Sequence, residues 1–67
     1  MASNNKIRLL EKEVIDGETW YKILCVNEVS AWLAKQGKAY YIGYHRIWLI
    51  HEMPESTYIM MKLVWSD

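Results

Sequence analysis

A neutral chain of 67 residues, with eight basic and eight acidic side chains, has no global field to draw it to nucleic acid or an anionic membrane. Its length allows one domain that buries only about 60% of its unfolded surface, and 52% hydrophobic with 24% charged residues excludes a disordered chain. Cys25 is the sole cysteine and no Cys/His group has structural-zinc spacing, so the usual staples are missing and homodimer formation is the expected source of further burial.

Met1 to Asn5 are polar and predict a frayed lead-in to a single globular domain over 6–67. They lack an apolar signal-peptide core, and apolar runs such as Ile47 to Ile50 are far too short to cross a bilayer. With one unpartnered thiol, the expectation is a soluble, cytoplasmic protein without a membrane partner.

Lys6 to Ile15 and Glu18 to Val26 are rich in Ile, Leu, Val, Thr, Trp and Tyr, with Asp16-Gly17 between them. Asp-Gly in that setting predicts a hairpin, because a type I′ turn needs positive φ at both central positions. The register sets Ile15 against Glu18, Glu13 against Trp20, Glu11 against Lys22 and Leu9 against Leu24, with a Glu11–Lys22 charge pair. The face bearing Leu10, Val14, Tyr21, Ile23 and Cys25 is the expected core side.

Asn27 has the chemistry of a helix N-cap, Glu28 suits the first turn, and Gly37 suits a left-handed C-terminal residue. A helix is predicted from Glu28 to Gln36. Its stripe of Val29, Trp32 and Leu33 must dock on a sheet, which makes Trp32 a core anchor.

A long extended run is predicted after Gly37, reaching about Glu52, and a last strand from Thr57 to Trp65, with Met53-Pro54-Glu55-Ser56 as the connection. The fold class is therefore α+β in the order ββαββ: two antiparallel hairpins form a four-stranded sheet with one short helix packed on one face. Alternation points Tyr40, Ile42, Tyr44, Arg46, Trp48 and Ile50 one way, and Ala39, Tyr41, Gly43, His45, Ile47, Leu49 and His51 the other, unless a bulge at Gly43 changes the phase. On the last strand Ile59, Met61, Leu63 and Trp65 oppose Tyr58, Met60, Lys62 and Val64. One helix covers one face, so the other is left for a partner.

Four Trp, five Tyr and no Phe mean that every aromatic side chain carries a hydrogen-bonding tip, which suits surfaces that meet another molecule. Tyr40, Tyr44, Arg46 and Trp48 are the expected partner-binding residues. No catalytic, cofactor-binding or metal-binding residue is expected. His45 and His51 stand roughly 20 Å apart along one strand, and the bland reading of either is a hydrogen-bonded structural histidine. Cys25, just before the helix, reads as a buried small hydrophobe rather than an activated thiol. Glu11, Glu13, Asp16 and Glu18 read as a solvated acidic end, without calcium-loop or paired-carboxylate spacing.

The leading expectation is a non-enzymatic protein-binding module that occludes a surface on a larger partner, as small inhibitors encoded by phages and mobile elements do. The host cytoplasm would then be its setting. A single-stranded nucleic-acid-binding module is second, with bases on Tyr40, Tyr44 and Trp48 and phosphates on Lys38, Arg46 and Lys62. A small structural subunit of a larger assembly is third, and an enzyme last.

Overall fold

Strand β1 (Ile7–Ile15) and strand β2 (Glu18–Cys25) form the first hairpin about Asp16 and Gly17, whose φ values of 52° and 78° are those a type I′ turn requires. The computed structural model describes residues 5–65, so the lead-in expected over Met1 to Asn5 lies, but for Asn5, outside the described residues. The pairs Ile15–Glu18, Glu13–Trp20 and Glu11–Lys22 stand as the turn dictates, and Lys22 Nζ lies 3.3 Å from Glu11 Oε1. Beyond them a bulge changes the register. Leu10 is an extra residue, so Leu9 faces Ile23 instead of Leu24.

That extra residue corrects the expected core of β1. Ile7 rather than Leu10 turns inward, while Leu10 and Val14 stay 46% and 67% exposed. Tyr21, Ile23 and Cys25 are buried as expected.

Helix α1 (Asn27–Ala34) starts one residue earlier than expected and ends two residues short of Gln36, with Lys35 as its C-cap. Val26, in extended conformation, is its N-cap; no side-chain cap bond forms there, so Asn27 is the first helical residue and not the cap. Glu28 sits in the first turn and reaches Lys6 Nζ at 2.9 Å, tying the helix to the start of β1. Gly37 adopts a φ of 81° just past the helix end.

The second hairpin departs from the expected single long strand. Strand β3 (Tyr40–His45) turns at Arg46-Ile47 into strand β4 (Trp48–Pro54), and the two pair antiparallel. Arg46 takes φ 61° in that turn, the left-handed region that L-residues seldom occupy. The last segment is not a strand at all. Helix α2 (Glu55–Trp65) begins directly after Pro54 and buries Thr57 and Met61 one turn apart, with Tyr58 and Trp65 packed against the same core.

Among the described residues the four strands make one antiparallel sheet in the order β1-β2-β4-β3. This is the small α+β fold expected, with α2 in place of the last strand. Both helices lie on one face. Val29 and Leu33 of α1 and Met61 of α2 close over Ile7, Tyr21, Ile23, Cys25 and Met53, and Tyr58 stacks on Tyr21 at 3.9 Å between ring centroids. Trp32 meets Trp65 edge to face at 6.5 Å, so it anchors helix to helix as well as helix to sheet.

Candidate functional site

Alternation along the strands fixes what the uncovered face carries. Residues paired with the helix-side set are Leu49, His51 and Met53 on β4, and Tyr41 and Tyr44 on β3. The opposite, helix-free face carries Arg8, Glu11, Glu13, Ile15, Glu18, Trp20, Lys22, Leu24, Tyr40, His45, Trp48, Ile50 and Glu52.

The four expected partner-binding residues therefore do not form one patch. Ile42 is an extra residue between Tyr41 and Gly43, so the side-chain phase reverses along β3. Tyr40 and Trp48 share the helix-free face. Tyr44, 71% exposed, stands on the helix side opposite Leu49, and Arg46 sits in the turn at the end of the sheet.

Sequence alternation missed the neighbours that complete the open face. Trp20 leans toward Tyr40 across β4, with ring centroids 6.1 Å apart and planes tilted by 31°. Leu24 and Ile50 are directly paired between β2 and β4, and Leu24 is buried although no helix covers it. The period of two in β2 already set Trp20, Lys22 and Leu24 on the side away from Tyr21 and Ile23. A second unmarked surface lies outside α2, where Ile59, Met60, Leu63 and Val64 are all exposed. Their i, i+4 spacing is the helical signal that the strand reading passed over.

Charge divides the open face. Glu11, Glu13, Glu18 and Glu52 stand on it with Arg8 and Lys22; Arg8 lies opposite Leu24, toward the end of the sheet away from the hairpin turn, and Lys22 gives its ammonium to Glu11. Glu52 is left beside Trp20, near Asp16 and Glu18 at the hairpin turn, around a cleft of about 250 Å³ that Ile15 also lines. The acidic end expected of the first hairpin thus extends onto β4.

The other chemistry-bearing side chains are separated. The chain does fold back between His45 and His51, but the two rings fall on opposite faces of the sheet. No group of three or more His, Cys, Asp or Glu among the described residues is placed to hold a metal ion. Cys25 is fully buried and free, and burial pushes its thiol up to about 11, the reverse of activation by the helix that follows.

Among the described residues, no helix is long and apolar enough to cross a membrane. Compared with known proteins, the chain matches no family model, no curated protein and no solved structure.

Proposed function

We propose that the chain is a non-enzymatic protein-binding module that occludes a surface on a larger partner, using the helix-free face of its sheet. One observation carries the reading. Both helices pack on the same side, yet the bare side presents Trp20, Tyr40, Trp48 and Ile50, the aromatic and aliphatic types that interface centres select. Action as a small inhibitor of phage or mobile-element origin fits this occluding role, and the buried free Cys25 agrees with a reducing, cytoplasmic setting. Self-association leaves that face available if the second copy docks on α2.

Single-stranded nucleic acid is a weaker occupant of the same face, because Glu11, Glu13, Glu18 and Glu52 outnumber Arg8 and Lys22 there and repel phosphates where the rings would stack. Capture of a protein from host lysate, repeated with Trp48→Ala and Tyr40→Ala, tests the proposal. Folded variants that keep every partner would refute it. Titration with labelled DNA and RNA strands at two salt concentrations tests the second reading, since phosphate-dependent binding weakens as salt rises.

A further inference from the structure

The two edges of the sheet are guarded unequally. At one edge β1 sets Arg8, Glu11, Lys12 and Glu13 along its nine residues and bulges at Leu10; charges and a kink are the usual defences against a further strand. At the other edge β3 has no Asp, Glu, Lys or Arg, and its own bulge at Ile42 leaves Gly43–His45 in regular pairing. Tyr40, Tyr41, Ile42 and Tyr44 are all exposed there.

The register shows which backbone groups that edge offers. Arg46-Ile47 is a two-residue turn, so His45 exchanges both backbone bonds with Trp48, and alternation turns the N–H and C=O of Tyr44 away from β4. No strand among the described residues meets them. A free row of this kind is the template on which an extended chain adds to a sheet.

Charge selects the occupant. From Lys35 to His51 the sequence has no acidic residue, and Lys38 and Arg46 flank β3 with no ion pair to either among the described residues. A second copy laid antiparallel about the middle of β3 would bring Lys38 of one chain near Arg46 of the other, and a parallel copy would set like residue against like. Both arrangements repel at both ends. A strand with an acid at each end is attracted in either direction. Glu52, opposite Tyr40 on β4, lies two strand spacings, about 10 Å, from such a strand and opposes it only weakly.

We propose that β3 takes an extended segment of the protein partner as a fifth strand, uncharged at its centre and acidic at both ends, with its backbone on Tyr44 and its carboxylates at Lys38 and Arg46. The inference rests on the protein-binding reading and names the form in which the partner meets the sheet.

The probe is an acetylated, amidated peptide as long as the segment 38–46, with valine alternating with threonine between a glutamate at each end. Its counterpart ends in lysines. Titrated into the isotope-labelled protein, the glutamate peptide should slow hydrogen exchange of the Tyr44 amide saturably and leave that of Lys12 on β1 unchanged. The lysine peptide should bind at least roughly ten-fold more weakly, since two exposed ion pairs become two like-charge contacts. Tyr44→Pro removes the outward N–H at an edge position that tolerates proline and should abolish binding, with dispersion of the other amides checking the fold. Lys38→Glu, outside any strand, should narrow the preference for the glutamate peptide whether or not the proline variant folds. Equal binding of the two peptides, no saturation with either, protection on β1 instead, or full binding by folded Tyr44→Pro would each overturn the proposal. So would a dimer that Tyr44→Pro converts to a monomer, which would give the edge to a second copy. A Trp48-dependent complex from lysate that tolerates Tyr44→Pro keeps the sheet-face function and removes the added strand.

Discussion

Ser30 Oγ lies 2.8 Å from Nε2 of His51, joining α1 to β4 beneath the helix layer. A serine beside an imidazole is the start of a nucleophile and its base, but a third group must orient the ring. None does so here. Nδ1 of His51 has no hydrogen-bond partner among the described residues, the Tyr41 ring meets the imidazole edge-on at 5.6 Å, and the residue is only 3% exposed. The pair is a strut between helix and sheet.

Burial holds the His51 imidazolium below its ordinary value of 6.5, so the fold binds the neutral ring. The unfolded chain then takes up its proton first as pH falls, which sets the sign. The contribution of His51 to stability is complete above pH 6.5, declines as the pH drops below it, and levels off below the folded-state value. The slope in that window is at most about 1.4 kcal/mol per pH unit for one proton. Urea unfolding at steps between pH 8 and pH 5 should show it. His51→Gln should flatten the profile, and an unchanged slope in that variant would assign the effect to another group.

The helical state of 55–65 makes opposite demands on two residues two positions apart. Met61 is fully buried and Leu63 is 80% exposed. Met61→Ala should cost about 2–5 kcal/mol through lost burial and a cavity, a large share of the stability of a domain this size. Leu63→Ala, measured at a protein concentration low enough to keep the chain monomeric, should change stability by no more than about 0.5 kcal/mol. A strand would put both side chains on one face and give them similar costs. Chemical denaturation of the two variants decides between these patterns.

The first hairpin was legible because Asp16-Gly17 tolerates positive φ at both positions, as a type I′ turn requires and most residue pairs do not, and that turn then dictates three cross-strand pairs. The second was not, because Arg46-Ile47 has none of the usual turn chemistry, while Gly43, the residue that reads as punctuation, lies within β3 beside a bulge. Pro54 ends a strand as its missing N–H requires, but it opens directly into a helix. Thr57, Met61 and Trp65 recur at helical spacing in the same stretch whose residues alternate well enough to imitate a strand. Of the site, Tyr40 and Trp48 were recoverable from strand period. Tyr44 was misplaced because a single extra residue, Ile42, inverts the period after it.

Arg46 is the residue where the backbone works against its side chain. Left-handed φ costs an L-residue roughly 1–2 kcal/mol, and glycine avoids that cost while losing about 0.5–1 kcal/mol to chain entropy. Arg46→Gly, at φ 61°, should therefore gain up to about 1 kcal/mol. Strain of this kind gathers where a side chain serves binding. A variant that unfolds at higher urea yet holds its protein partner less well would show that Arg46 is kept for its charge. A drop in stability would instead mean that the arginine side chain supports the turn.

Self-association has two candidate surfaces, and their charge separates them. Lys22, Glu11 and Glu52 run as a row across the open sheet face, so pairing two copies there would bury charges whose desolvation costs several kcal/mol per ion. Ile59, Met60, Leu63 and Val64 on the outer side of α2 are 51%, 47%, 80% and 54% exposed and carry no charge. Two copies of that stripe can face one another across a two-fold axis without a desolvation penalty. The mass from light scattering at micromolar concentration should therefore be that of a dimer. Leu63→Lys should give a folded monomer, and Trp48→Ala should remain dimeric, its lost indole lying on the face kept for the partner. A monomeric parent chain, or a Leu63→Lys variant that stays dimeric, would remove α2 as the contact between copies.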